Sequence, residues 1–191
     1  MRGMAPPAPR IPRPIRIAFA NARTGGLYAL ESVDDAERFG PHAAAQVAAV
    51  CAEPLIYERL FRDRLGGHPY DAADGLRFLT WAENHWREGS AFVFVITHPR
   101  AGIVGALDIK STDLDGAEIG YWLSARHGGV MTNAVCLMRD LAWAAGYRGL
   151  FALTDPDNAR SQAVLARVGF IREGSMTRNG ETYWLHRLGR A

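Results

Sequence analysis

EIGYWLSARHGGVMTNAV, residues 118–135, decides how the chain is read. Its first seven residues read as a strand, Gly128 and Gly129 break it, and helical periodicity follows, with Val135, Met138, Leu141, Ala142 and Ala145 running to a stop at Gly146. LFALTD, residues 150–155, is an apolar strand. Strand, helix and strand at this spacing predict a βαβ unit with parallel strands and a right-handed crossover. In such a unit the helix starts at the carboxyl end of the preceding strand, and its first N–H groups have no intrahelical partner. Those donors and the positive end of the helix dipole can hold an anion, and two glycines let the backbone approach it closely. Residues 126–132 are therefore a candidate phosphate loop, with Arg126 as a charged lid; a Gly-Gly at such a junction also serves as a plain tight turn. No GK[ST] follows, so this is not a Walker loop, and it is not the GxGxxG of a dinucleotide fold.

Working outward, AFVFVITH (91–98) and GIVGALDIKS (102–111) flank a His-Pro-Arg-Ala-Gly turn and predict a hairpin, which the strand at 118–124 extends into an antiparallel meander. Upstream lie a short strand at LYAL (27–30), a capping Asp34-Asp35, helices at 41–52, 56–65 and 72–88, and a Gly/Pro/Asp-rich loop at 66–75. Downstream, a helix over 159–168 starts after Asn158 and stops at Gly169, followed by strands in FIREGSMT and ETYWLHRL. This order describes an α/β chain with a mixed sheet and helices on its faces.

Residues 1–16 hold five of the ten prolines and four arginines, which predicts an extended tail outside a single domain over 17–191. Such a tail is either solvated or a basic arm for an anionic partner. The composition, 48% hydrophobic and 10% aromatic, suits a globular core. A net charge of +2 gives no broad footprint for nucleic acid. No apolar stretch reaches the ~20 residues of a membrane span and no secretory signal is visible, so a cytoplasmic location is expected. Cys51 and Cys136 form neither a disulfide framework nor a zinc spacing, and no metal site is expected.

EIGYWL is followed at a fixed interval by DPDNARSQAVLARVGF, and here the chain resembles a known family, the GNAT N-acetyltransferases of the RimJ/RimL-like branch. Glu118 to Leu123, a loop of the form [QR]-x-x-G-x-[GA] at Arg126 to Met131, Asp155 to Asn158, Ser161, Leu165, Gly169, Phe170, Glu173 and Gly174 match in order and spacing. The resemblance spans roughly residues 25 to 190. It implies the GNAT fold, a central mixed, mostly antiparallel sheet whose splayed parallel strands form an acetyl-CoA cleft. It implies acetyl-CoA as cofactor, with pantetheine pairing like an added strand near Trp122 and Leu123. The diphosphate would sit on the loop of Arg126, His127, Gly128, Gly129, Val130, Met131 and Thr132, and Asn158 would bond the pantetheine arm or simply cap its helix. Met131 stands where the family has Gly or Ala, so a bulky side chain would narrow the approach to phosphate.

Moving an acetyl group to an amine needs a base, donors for an oxyanion and a proton for the thiolate. Glu118, heading the strand beside the cofactor, is the expected base, with Glu181 in reserve; a solvent-facing strand-edge charge is the plain alternative for Glu118. Ser161 is the expected acid, or it satisfies a neighbouring amide. A backbone amide near Trp122 would polarise the thioester carbonyl. Direct transfer in a ternary complex is expected rather than an acetyl-cysteine relay. The acceptor is a primary amine, a protein N-terminus or a small molecule, and a homodimer stays open. The other readings are a noncatalytic acyl-CoA sensor and a cleft used only to recruit a partner.

Overall fold

Strands from the middle of the chain carry apolar side chains on both sides, as strands covered on two faces must. The computed structural model describes residues 8–190. In it β2 (Leu27–Ser32), β3 (Phe92–His98) and β4 (Gly102–Ile109) are buried along most of their length. With β1 (Arg16–Ala20), β5 (Ala117–Leu123), β6 (Gly149–Thr154), β7 (Ile171–Arg178) and β8 (Glu181–Gly189) they form one sheet of order β1-β2-β3-β4-β5-β6-β8-β7. Every neighbouring pair is antiparallel except β5 and β6. That parallel pair is joined by α4 (Met131–Ala144), as the βαβ reading requires.

Helices cover both faces. On one, α1 (Ala43–Cys51) and α3 (Ala72–Glu88) bury Val47, Leu79 and Ala82 with Val93, Val95 and Ile103. α3 keeps its start through a capping box, the Asp71 carboxylate accepting from Asp74 N–H and Asp74 returning the bond. On the other face α4 and α5 (Ala159–Val168) pack Val135, Met138 and Leu165 against Leu107, Ile119 and Leu150. α1 and α3 approach closely at Gly75, where a Cβ would lie 2.1 Å from the Ala44 carbonyl oxygen. Gly75→Ala must push two helices apart. We expect a cost of about 2 kcal/mol, seen as a fall of roughly 4–8 °C in the unfolding midpoint.

Two expectations change. The proline-rich stretch is not wholly outside the core: residues 1–7 lie outside the described residues, but Ile11 and Ile15 are buried and β1 begins at Arg16. Ile15 N–H donates to Ser32 Oγ at 2.9 Å and Ser32 N–H donates to the Ile15 carbonyl at 3.1 Å. Proline holds the chain extended, which suits a segment running beside the sheet and feeding an edge strand. The helix expected at 56–65 is instead a short α2 (Pro54–Ile56) that widens into a π turn over Tyr57–Phe61.

Candidate active site

The parallel pair opens almost at once. β5 and β6 pair only at Ala117↔Leu150 and Glu118↔Phe151, and from there the strands diverge. The register of β5 on β4 fixes which backbone groups face the opening. Lys110 N–H bonds the Glu118 carbonyl and Ser124 N–H bonds the Val104 carbonyl, and no bulge intervenes, so even-numbered residues exchange bonds with β4. The N–H and C=O groups of Tyr121 and Leu123 therefore point into the crevice. Trp122, the expected amide donor, bonds toward β4 instead, and its ring packs on Phe78 of α3 at 5.8 Å.

At the open end of β5 the chain makes a short turn over Ala125–His127 before α4. Glu53 anchors it, accepting from Ser124 Oγ at 2.6 Å and from Ala125 N–H at 2.8 Å. The amide of His127 is spent on the Ser124 carbonyl, whereas those of Gly128, Gly129 and Val130 have no partner among the described residues. Gly129 has φ +94°, a left-handed value that favours glycine. Val130 precedes α4 without a side-chain cap, so the first-turn donors at Met131 and Thr132 are also left to the loop. Met131 does not crowd this loop: its side chain is in the core, 4% exposed. The His127 ring turns inward, Nδ1 lying 2.8 Å from Tyr28 Oη and the ring 5.3 Å from His98. Burial, then the neighbouring His98, holds its pKa below the usual histidine value. Arg126 is exposed beside the loop.

Of the two expected catalytic groups, Ser161 is at the crevice. α5 starts from Asn158, whose Oδ1 accepts from Ser161 N–H at 3.2 Å and so caps the helix. Ser161 Oγ lies 2.7 Å from Tyr121 Oη, whose proton burial holds on, pushing its pKa up to about 12. Glu118 sits where β5 and β6 still pair, and it is fully engaged. Lys110 Nζ donates to Oε1 at 2.6 Å, and Arg178, reaching back from the β7–β8 hairpin, donates to Oε2 at 2.6 Å. Burial alone would raise this carboxyl, but the bonds from Arg178 and Lys110 hold it below the usual carboxylate range. Such a group accepts a proton poorly. Glu181 is exposed near the hairpin tip and accepts from Tyr183 Oη at 2.6 Å.

The residue that the sequence reading missed is Asp108. It stands on β4 opposite Gly120, and because Gly120 has no side chain the carboxylate lies across β5: Oδ1 accepts Gly120 N–H at 2.8 Å and would be 2.9 Å from a Cβ there. Oδ2 has no hydrogen-bond partner among the described residues. Burial drives this carboxyl above its usual range, against Lys110 and the Gly120 amide. An acid in the otherwise apolar GIVGALDI, facing a glycine in EIGYWL, was the available signal. A second missed feature is Arg59 in the π turn. It donates to Asp155 at 2.7 Å and to Asp157 at 2.8 and 3.0 Å, tying the arm after α1 to the turn between β6 and α5.

An antiparallel sheet opened at a single parallel pair, with a glycine loop of free amides at its mouth, offers an open strand edge and an anion cradle to one extended ligand. A profile of the Acetyltransferase (GNAT) domain matches residues 17–171, and the chain belongs to that family, whose acetyl donor is acetyl-CoA. No curated protein sequence matches it. Its fold is similar to that of the ribosomal-protein-S5-alanine acetyltransferase from Vibrio fischeri (TM-score 0.66, 19% identity, covering 92% of this chain and 96% of that one). It is similar also to Mycobacterium smegmatis RimJ in complex with CoA-disulfide (TM-score 0.66, 23% identity, 93% and 88%). An aminoglycoside acetyltransferase in complex with coenzyme A gives a TM-score of 0.61 at 16% identity over 78% of this chain and 90% of that one. These are structures of the RimJ/RimL-like kind that the sequence motifs resemble, together with one that acts on a small molecule. Among the described residues no helix is long and apolar enough to cross a membrane, and no group of His, Cys, Asp or Glu could hold a metal ion.

The residues present fit acetyl-CoA. Unpartnered amides at Gly128 to Val130 suit a diphosphate, and the backbone of Tyr121 and Leu123 offers an open strand edge to the amide-bearing pantetheine arm.

Proposed function

We propose that the protein moves the acetyl group of acetyl-CoA directly onto a primary amine in the cytoplasm, with Asp108 as general base and Ser161, backed by Tyr121, as general acid. The observation that carries this reading is the Asp108 carboxylate lying over Gly120, one residue from the open edge of β5. The bound donor supplies an activated thioester and a thiolate leaving group that needs a proton.

An amine near neutral pH is mostly protonated, so the base must take a proton before attack. Asp108 suits that task because burial raises its proton affinity and Oδ2 is uncommitted. Glu118 stays ionised between Lys110 and Arg178 and holds the β7–β8 hairpin over the crevice. Inward-facing amides of Tyr121 and Leu123 polarise a carbonyl placed along the edge. When Tyr121 Oη donates to Ser161 Oγ, the serine proton is free to reach a sulfur. We expect Ser161→Ala to lower kcat by about 10- to 100-fold with little change in KM for acetyl-CoA, and Tyr121→Phe to lower it less.

A relay through Cys51 is disfavoured. Cys51 is fully buried and burial pushes its thiol up to about 12, so it is not a nucleophile near neutral pH. A noncatalytic sensor would be favoured if Met131 crowded the loop, and that side chain is in the core. The segment over 57–75 forms one wall of the acceptor site in this reading, and Arg59 ties it to the carboxylates of Asp155 and Asp157. Protein N-termini and small polyamines or aminoglycosides are the acceptor classes to try. The test is thiol release from acetyl-CoA across a panel of N-terminal peptides and small amines. Intersecting initial-velocity patterns and unmodified protein by intact mass are expected. Parallel patterns with an acetylated cysteine, or no turnover with any amine, would refute it.

A further inference from the structure

The loop between β1 and β2 is built onto the phosphate loop, although nothing in the motifs joins them. Asn21 Nδ2 donates to the Gly128 carbonyl at 3.1 Å, Asn133 Nδ2 donates to the Ala20 carbonyl at 2.8 Å, and Asn21 Oδ1 accepts Arg23 N–H at 2.8 Å. Asn21 itself is buried, 3% exposed. These bonds leave Arg23 lying along the two glycines. A Cβ on Gly129 would be 2.5 Å from Arg23 Cδ, and one on Gly128 would be 3.7 Å from Arg23 Nη1. The bare glycine at 129 is thus what lets the arginine stem rest on the loop. Among the described residues the Arg23 guanidinium has neither an ion pair nor a hydrogen bond, unlike Arg59, Arg148 and Arg178, which all meet carboxylates.

We infer that Arg23 is a ligand of the diphosphate of coenzyme A, reaching it from a strand connection outside the loop's own sequence. The inference rests on the reading above in which that diphosphate docks on the Gly128–Gly129 amides. Those amides contribute directed donors and partial charge, and within the loop only Arg126, exposed at its start, carries a full positive charge, since burial and the neighbouring His98 hold the His127 pKa down. Arg23 adds a full charge and a planar fork of donors matched to phosphate oxygens. The bonds made by Asn21 and Asn133 hold the Arg23 backbone beside the loop before the ligand arrives, so that only its side chain has to order on binding.

The test is calorimetric titration of the full chain with coenzyme A and with dephospho-coenzyme A, which keeps the diphosphate and lacks the ribose 3′-phosphate. Arg23→Met preserves the stem over Gly129 and removes the charge. We expect it to weaken both ligands by the same factor, about 10- to 100-fold, with an unchanged unfolding midpoint in the absence of ligand. Arg23→Lys should recover part of the loss, keeping charge without the fork. Equal affinities for the unsubstituted protein and Arg23→Met would overturn the assignment, as would a loss confined to coenzyme A with dephospho-coenzyme A unaffected. If the unsubstituted protein bound neither ligand, the donor-site reading itself would fail, a result distinct from either.

Discussion

Asp108→Asn is expected to lower kcat by about 10²- to 10⁴-fold while leaving coenzyme A binding intact, which is the size of effect a positioned general base contributes. The substitution keeps the shape of the side chain and an oxygen for the Gly120 amide, so a folding defect is not expected. A carboxyl whose folded pKa lies above its unfolded value is harder to ionise in the fold, so its charge costs stability at neutral pH, and removing it should be neutral or slightly stabilising. The same shift gives the pH dependence. Activity requires the ionised carboxylate, so kcat/KM should fall as pH drops through a value above the 3.8 of an ordinary aspartate, and this limb should vanish in Asp108→Asn. Glu118→Gln is the partner experiment. It removes the negative charge that pairs with Lys110 and Arg178 and leaves one oxygen to accept from them, and should loosen the β7–β8 hairpin without removing the acid limb. Loss of turnover in Glu118→Gln with full turnover in Asp108→Asn would return the base to Glu118.

Gly129→Ala is expected to abolish tight donor binding, with a loss of about 100-fold or more in coenzyme A affinity. Two costs combine there. The backbone is at φ +94°, where a side chain adds about 1–2 kcal/mol. The new Cβ would also lie 2.5 Å from Arg23 Cδ and 2.7 Å from Asn21 Oδ1, so the β1–β2 connection must lift from the loop. Gly128→Ala is the control. Gly128 has φ −56°, and the nearest heavy atom to an added Cβ is 3.7 Å away, so this substitution should bind coenzyme A within a few-fold of the unsubstituted chain. Similar losses from both substitutions would mean that the loop tolerates no side chain at all, and that the specific role of Gly129 is wrong.

The scaffold was legible because its signals are local. Helical spacing from Val135 to Ala142, the stop at Gly146 and the apolar run from Leu150 fix the βαβ unit, and each appears within a residue of its expected place. β1 was not legible. Its residues alternate weakly, follow five prolines, and gain their place from pairing with β2 and from Ile11 and Ile15 reaching the core. The π turn at Tyr57–Phe61 is likewise set by long-range ties, Arg59 to Asp155 and Asp157 among them. In the proposed site, the loop and Ser161 each belong to a short stretch that the family resemblance picks out, residues 118–131 and 155–174. The places of Asp108, Tyr121 and Arg23 could not be read in this way, since each meets a neighbour distant in sequence: Gly120 across a ladder, Ser161 forty residues away, Gly129 beyond the whole first half of the chain. Glu118 shows the converse. Its position in the motif suggested a free carboxylate, and only the folded chain brings Lys110 and Arg178 to it.

The most direct test of the whole account is a crystal structure of the protein with coenzyme A. The diphosphate should accept hydrogen bonds from the amides of Gly129 and Val130 with Arg23 alongside, and the pantetheine should run along Tyr121 and Leu123 so that its sulfur ends near Ser161 and on the Asp108 side of β5. A coenzyme seated elsewhere, or β5 and β6 zipped together beyond Glu118 with no room between them, would contradict it.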